Sequence, residues 1–337
     1  MIKFLKESNT VTKHTVDTMI SGEFDIIKRI KAEISKAPAP SHLIKGIGDD
    51  CAVYKIHENR YGLFSTDVSV ENVHFNTKYC SWYDIGFKSM SANISDVFAM
   101  GGNPLFVLSA ITVPSNINME DIDEIYRGML SSAAPYNVFI AGGDISSGTS
   151  ISLCISIYGE TDNPVYRNGA SAGDFIYVTG DIGRSKAGLE ILSQGKDIKE
   201  YPSLIERHLR PWPVKNFKML IEKFNPGSMI DISDGLISDL KHLCEESKKG
   251  FIINCDNLPV HDELKKYCAD KKIDYISHAL SSGEEYELLF TSQELLKNID
   301  GITLIGEITE NDKVFNRSGK QWTPDIKGYE HFRNEEG

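Results

Sequence analysis

Apolar and polar positions recur with two periods along this 337-residue chain. Short runs of period two read as strands, and longer runs with apolar residues every three or four positions read as helices. Ser21 opens a segment with Phe24, Ile27, Ile30 and Ile34 on one face, predicting a helix to Ser35 that Pro38 and Pro40 end. Residues 51–56 and 61–66 read as paired strands around the polar loop His57-Glu58-Asn59-Arg60. Ser81 opens a helix to Met100, stopped by Gly101-Gly102, with Ser89, Asn93 and Asp96 at spacings of four and three. A strand at 105–113, a helix capped by Asn118, a short strand at 138–141 and an alternating strand at 150–158 complete an interleaved first half. Near Thr161-Asp162-Asn163-Pro164 the pattern resets. A strand at 175–179 leads to a helix from Ser185, and Arg210-Pro211-Trp212-Pro213 makes a rigid turn before a helix ending at Phe224. Strands follow at 229–233, 250–255, 288–291, 303–306 and 313–315, with a helix to Glu246 after the first. The length favours two domains, and the reset divides the chain into an extension (1–21), an N-terminal domain (22–160) and a C-terminal domain (161–337).

Acidic residues gather at the strand ends. In a symmetric hairpin Asp50 faces Asp67 across the open end, where opposed carboxylates about 5 Å apart repel by about 3 kcal/mol at an effective dielectric near 20. Asp49 adds a third charge. A bound hard cation accounts for this, and an oxygen-only donor set suits Mg²⁺; a hairpin mouth open to water is the alternative. Gly142-Gly143-Asp144 is expected to break its strand and admit a phosphate close to the backbone. Gly180-Asp181-Ile182-Gly183 could offer helix N–H groups to an anion, although neither a P-loop nor a full GxGxxG is present. Asp231, Ser233, Asp234 and Asp239 bracket a helix start, only partly explained by Ser233 or Asp234 as a cap. His74, flanked by apolar residues, reads alone as a core or edge residue. Paired glutamates after Ser282-Gly283 are unusual for a plain connection.

Composition narrows the classes. Hydrophobic (41%) and charged (25%) fractions are those of a soluble globular protein. A formal charge of -12 argues against nucleic-acid binding by phosphate neutralisation. Six scattered cysteines without a CxxC pair fit reduced thiols rather than a disulfide framework or zinc site. With no membrane-length apolar run and no basic-then-apolar leader, a cytoplasmic protein is expected.

Taken together, GIGDDCAVY (46–54), STDVSVENVHF (65–75), NISDVFAMGGNP (93–104), AGGD (141–144), GDFIYVTGDIG (173–183), HLRPW (208–212), IDISDGLISDL (230–240) and SGEEYELLFT (282–291) resemble the thiamine-monophosphate kinases of the aminoimidazole-ribonucleotide-synthetase-like superfamily. They follow the family's order from about Gly22 to Phe332. The resemblance implies ATP-dependent phosphorylation of thiamine monophosphate, with several Mg²⁺ ions in an aspartate cluster. It implies an N-terminal α/β domain, dimerising through its sheet into a homodimer, and a C-terminal α+β domain. By motif position, Asp50, Ser65, Thr66, Asp67, Asp96, Asp144, Asp231 and Asp234 would hold metal. Tyr126, Gly143, Asp144, Arg167 and Ser233 would contact ATP, and His74, Glu284 and Tyr329 would bind thiamine monophosphate. No catalytic base or nucleophile is implied. Ile145 stands where the family commonly has Thr, and Cys51 replaces a small Ala. Selenophosphate synthetase is disfavoured because its reactive Cys or selenocysteine with a nearby Lys is missing, and SGEEYEL disfavours aminoimidazole-ribonucleotide synthetase. A non-catalytic Mg-nucleotide sensor is the alternative of a different class.

Overall fold

The computed structural model describes residues 22–195, 198–214, 217–324 and 326. Helix α1 (Glu23–Ile34) belongs to a separate unit from the body formed by residues 40–329. Gly22 occupies its N-cap, the expected cap Ser21 lies outside the described residues, and Ile27, Ile30 and Ile34 are exposed.

The body's first sheet contains β1 (Leu43–Lys45), β2 (Ala52–His57), β3 (Arg60–Val70), β4 (Asn103–Pro114), β5 (Phe139–Gly148) and β6 (Ser152–Thr161). Their order is β1-β2-β3-β6-β4-β5, parallel only between β4 and β5. Helices α2 (Trp82–Ala99) and α3 (Met119–Ala133) pack with it around a core that includes Leu63, Ile94, Val107, Met129 and Ile155. The pleat sorts side chains by face. On β3, Ser65 and Ser69 bond α2, whereas Phe64, Thr66 and Val68 project from the other face and are exposed. That second face also presents exposed Phe106 and Leu108, and Phe139 is exposed on the edge strand.

Two local expectations are corrected here. The hairpin loop is only Glu58-Asn59: His57 pairs with Arg60, a register shift follows Lys55, and Asn59 takes the left-handed backbone (φ 56) that tight hairpins need. Because Ala52 pairs with Phe64, Asp50 lies level with Thr66 rather than Asp67. The second correction concerns the glycine pair, which lies within β5 instead of ending it. A Cβ on Gly143 would sit 1.8 Å from the Ser109 carbonyl oxygen of β4, so glycine is required by the approach of two strands.

The second sheet contains β7 (Phe175–Thr179), β8 (Ser228–Asp231), β9 (Gly250–Asn254), β10 (Leu288–Ser292), β11 (Ile302–Thr309), β12 (Lys313–Arg317) and β13 (Lys320–Trp322). Its order is β13-β12-β9-β11-β7-β10-β8. Around it lie α4 (Arg184–Gln194), α5 (Pro202–Leu209), α6 (Phe217–Phe224), α7 (Leu236–Ser247), α8 (Asp262–Lys271) and α9 (Tyr275–Leu280). Gly235 (φ 109) is the N-cap position of α7, so neither Ser233 nor Asp234 caps it. Tyr177, Phe224, Met229 and Phe290 continue the first sheet's core, while Ile176, Ile230, Leu240 and Ile305 belong to a second core. The two sheets therefore share one apolar layer, and α2 lies against β8. Among the described residues no helix is long and apolar enough to cross a membrane.

Candidate active site

Helix α2 organises the site. Ser81 and Asp84 form a reciprocal capping box at its start, fixing where the helix begins and hence the register of everything on it. One stripe faces the first sheet: Ser89 Oγ donates to Ser69 Oγ at 2.8 Å, and Asp96 Oδ2 accepts from Ser65 Oγ at 2.5 Å. A neighbouring stripe reaches the second half of the chain. Asp84 Oδ1 accepts from Arg210 Nε (2.6 Å), Lys88 Nζ donates to Glu284 Oε2 (2.7 Å), and Ser95 Oγ donates to Asp231 Oδ2 (2.7 Å).

At the end of these stripes Asp50, Asp96 and Asp231 place one carboxylate oxygen each within 4.8 Å of one another. They come from the loop before β2, from α2 and from the end of β8. Asp67 adds its charge from β3. Burial pushes Asp231 up to about 8 and Asp67 to about 6, with the Asp50 charge acting in the same direction on both. Asp96 is raised well above the carboxylate range by burial and then by Asp67, Asp231 and Asp50. Arg167 supplies the nearest countercharge: its Nη2 bonds Asp50 Oδ1, its Nε lies 3.4 Å from Oδ2, and its backbone N–H donates to Asp49 Oδ1 at 3.1 Å. Lys45 Nζ lies 3.0 Å from the other Asp49 oxygen. Asp239, fully buried in the first turn of α7, has an Oδ2 without a hydrogen-bond partner among the described residues.

The donor chemistry fits a hard divalent cation. Two oxygens on one Mg²⁺ at ~2.1 Å lie at most ~4.2 Å apart, and on one Ca²⁺ at ~2.5 Å at most ~5.0 Å. A spread within 4.8 Å needs sub-ångström closure for the smaller ion.

Several expected site residues are not brought to this cluster. Thr66 points its hydroxyl to the opposite side of the sheet, bonding Ser156 Oγ (3.0 Å) and the Ile155 carbonyl (3.2 Å). Asp144 pairs with Ala110, in the same cross-sheet row as Val68, so it also projects from the uncovered face. It stands three strands from Asp67, about 14 Å at ~4.8 Å per strand. The physical reason is the pleat: Asp67 is one residue beyond Thr66, and Asp144 one beyond Gly143. Tyr126 is half-buried on α3 against the first core. Ser233 and Asp234 are half-buried between β8 and α7, with the Ser233 carbonyl accepting from the Glu284 N–H at 2.8 Å. Tyr329 lies outside the described residues.

His74 and Glu284 do share a corner. His74 Nδ1 accepts from the Val70 N–H (3.1 Å), and Lys88, bonded to Glu284, also reaches the His74 carbonyl at 3.5 Å. Glu284 and Tyr286 both adopt left-handed backbone (φ 54 and 52), each at a strain of about 1–3 kcal/mol. Their loop wraps the β8 end: Ile232 O accepts from the N–H groups of Glu285 and Tyr286, and a Cβ on Gly283 would sit 2.5 Å from Ser233 O.

The anion expected at the Gly180–Gly183 turn is the protein's own. Glu285 Oε1 accepts from the N–H groups of Gly183 (2.8 Å) and Ser185 (3.0 Å) and from Ser282 Oγ (2.6 Å). Arg207 bonds Glu285 at 3.0 Å and also Glu287, whose other oxygen accepts from Thr179 Oγ1 at 2.5 Å. This buried network closes the start of α4 to any outside anion.

Family models agree with this architecture. Residues 48–161 match the AIR synthase related protein N-terminal domain, and residues 171–315 match its C-terminal domain. A thiamine-monophosphate kinase of Aquifex aeolicus is 37% identical over 92% of this chain and 98% of its own length. The chain belongs to the thiamine-monophosphate kinase family. Its relative in Escherichia coli K12 is 36% identical over 93% of this chain and 99% of its own. A solved structure of AaThiL complexed with AMPPCP and TMP superposes with a TM-score of 0.81 at 34% identity, over 92% of this chain and 97% of that one. Within this thiamine-monophosphate kinase scaffold, Lys88, Ser95, Arg207 and His208 join the site and its supporting network without being singled out by the sequence motifs. For Lys88 and Ser95 a signal existed: with Asp84 they recur at spacings of four and seven, a second polar stripe on α2.

Proposed function

We propose that this chain transfers the γ-phosphoryl group of ATP to thiamine monophosphate, forming thiamine diphosphate and ADP. The observation that carries the reading is the convergence of Asp50, Asp96 and Asp231 from three separate segments, within a chain of this family. Asp50, Asp67, Asp96 and Asp231 are proposed to hold Mg²⁺, with Ser65 and Ser95 orienting two of them. The bound cation supplies charge neutralisation and alignment of the phosphates. Arg167, already against Asp50, is placed to meet a nucleotide phosphate, with Gly143, Tyr126 and Ser233 as further proposed ATP contacts. His74 and Glu284 form the proposed substrate corner, joined by Tyr329. Asp234 is proposed to extend the metal set from the α7 side.

The acceptor is a phosphate already ionised at neutral pH, so in-line attack needs no base from the protein. Orientation and exclusion of water are the tasks left to the side chains. A homodimer through the first sheet is proposed from the exposed apolar face carrying Phe64, Val68, Phe106 and Leu108. Thr66 and Asp144 project from that face, so their metal or nucleotide roles depend on the dimer. A domain division at residues 160/161, at the last residue of β6, is proposed from the segregation of strands into two sheets.

A coupled assay tests the reading. ADP release is expected only with thiamine monophosphate and a divalent ion together; release independent of thiamine monophosphate would overturn it. With γ-labelled ATP, label is expected in thiamine diphosphate and none on protein; a trapped phospho-protein would exclude direct transfer.

A further inference from the structure

The corner that holds His74 and Glu284 contains a cation to which no role has been given. Lys88 lies on α2, and its side chain is 9% exposed, against 28% for Glu284. Its Nζ is 2.7 Å from Glu284 Oε2 and 3.5 Å from the His74 carbonyl oxygen, so one ammonium touches both proposed substrate residues. His208 backs the same oxygen, with Nδ1 at 3.7 Å. The loop carrying Glu284 is held in a strained left-handed conformation, which persists only where surrounding contacts fix it.

We propose that Lys88 is a positioning residue for thiamine monophosphate: it fixes the Glu284 carboxylate as a charged acceptor in one orientation, facing the amine-bearing and cationic end of the substrate. This rests on the reading of Glu284 as a substrate ligand. Lys88 is too enclosed to be the contact itself, whereas the carboxylate it bonds is the more exposed of the two.

The groups facing Glu284 are Lys88 from α2, His208 from α5, His74, Tyr79 and Cys80 from the segment after β3, and Tyr286 from its own loop. Burial pushes the Glu284 carboxyl up, while the Lys88 ammonium, the largest opposing influence, pulls it to a net position below its ordinary value. His208 is itself driven down to about 3 by burial and by Lys88, so it is neutral at working pH. Without the ammonium, burial dominates and Glu284 takes up a proton as pH falls, weakening its hold on a cationic, N–H-donating ligand.

The test uses the full chain with Lys88→Met, Lys88→Gln, Lys88→Arg and Glu284→Gln. Kinetics for both substrates are measured between about pH 5.5 and 8.5, and each KM is divided by the parent's so that the substrate phosphate's own titration cancels. Met and Gln are expected to raise KM for thiamine monophosphate about tenfold near neutrality. That ratio should grow as pH falls, with kcat and KM for ATP within about twofold, the signature of lost substrate binding. Arg is expected to restore a pH-independent ratio. A ratio flat with pH for Met and Gln, an Arg variant as impaired as Met, or equal loss of kcat and both KM values would overturn the proposal. Should Met prevent folding, Gln keeps a polar group at the site and decides alone. If Glu284→Gln leaves KM for thiamine monophosphate unchanged, the ligand reading of Glu284 fails; if it raises KM while the Lys88 variants do not, only the Lys88 inference fails.

Discussion

Two groups of buried carboxylates lie within the same body, and they are built on opposite terms. Glu285 and Glu287 are enclosed by Arg207, two helix N–H groups and the hydroxyls of Ser282 and Thr179. Asp50, Asp67, Asp96 and Asp231 have Arg167 on one member and a serine on two others, and burial together with neighbouring aspartate charge pushes Asp67, Asp96 and Asp231 upward. A buried carboxylate surrounded by donors is architecture. Carboxylates that face one another with few donors are stable in ionised form only with further positive charge. The number of donors per carboxylate, rather than burial, separates the two.

The largest effect that tests this contrast is on stability. Arg207→Met leaves two buried glutamates without their cation, a loss of about 3–5 kcal/mol, or roughly 5 °C in Tm for a chain of this length. Denaturant or thermal unfolding measures it. Adding Glu285→Gln and Glu287→Gln to the same chain should recover part of the loss. A change under about 1 kcal/mol for the single variant would mean the network is hydrated rather than enclosed.

Asp231→Asn should act in the other sense. It replaces a buried carboxyl whose ionised form burial and Asp50 disfavour, so Tm is expected to stay level or rise slightly, while turnover falls by about a hundredfold or more. Near-normal turnover would remove Asp231 from the metal set. A large fall in Tm would place it with the structural carboxylates.

The third effect is pH-dependent. The folded Asp67 and Asp231 carboxyls lie near 6 and near 8, above the ~3.9 of an unfolded aspartate. At these two sites the folded state therefore binds more protons than the unfolded state between about pH 4 and 8, and their contribution to stability falls as pH rises. Millimolar Mg²⁺ should raise Tm by a few degrees near pH 8 and by less near pH 6, about 3 °C separating the two shifts. A larger shift at the lower pH would contradict the cluster's proposed role.

Much of this was legible in the sequence because the motifs carry their own spacing. Asp50, Asp96 and Asp231 were each marked by glycine turns or helical periodicity. What the sequence did not give was facing. A one-residue register shift after Lys55 set Asp50 level with Thr66, and the pleat then carried Thr66 and Asp144 to the uncovered face. The strand through Gly142-Gly143 was hidden because glycine pairs usually signal a turn, and here they admit the close approach of β4. The helix-start anion at Gly183 is Glu285, over a hundred residues away in sequence, and only the fold joins them.

The smallest effects make the most selective comparison, since a serine supports one member of each group. Ser282 Oγ donates to Glu285 and Ser95 Oγ to Asp231, at 2.6 and 2.7 Å. Ser282→Ala should lower stability by about 1–2 kcal/mol, because the acceptor stays buried and loses a donor it cannot replace. Its Mg²⁺ affinity, read by calorimetric titration, should be unchanged. Ser95→Ala should lower stability by less, about 0.5 kcal/mol, because an Asp231 already raised by burial can hold a proton instead. It should weaken Mg²⁺ binding about three- to tenfold, since the ion must then displace that proton and the carboxylate is no longer oriented. If both variants moved stability and metal affinity in the same proportion, the distinction between enclosed and open carboxylates would have no energetic content.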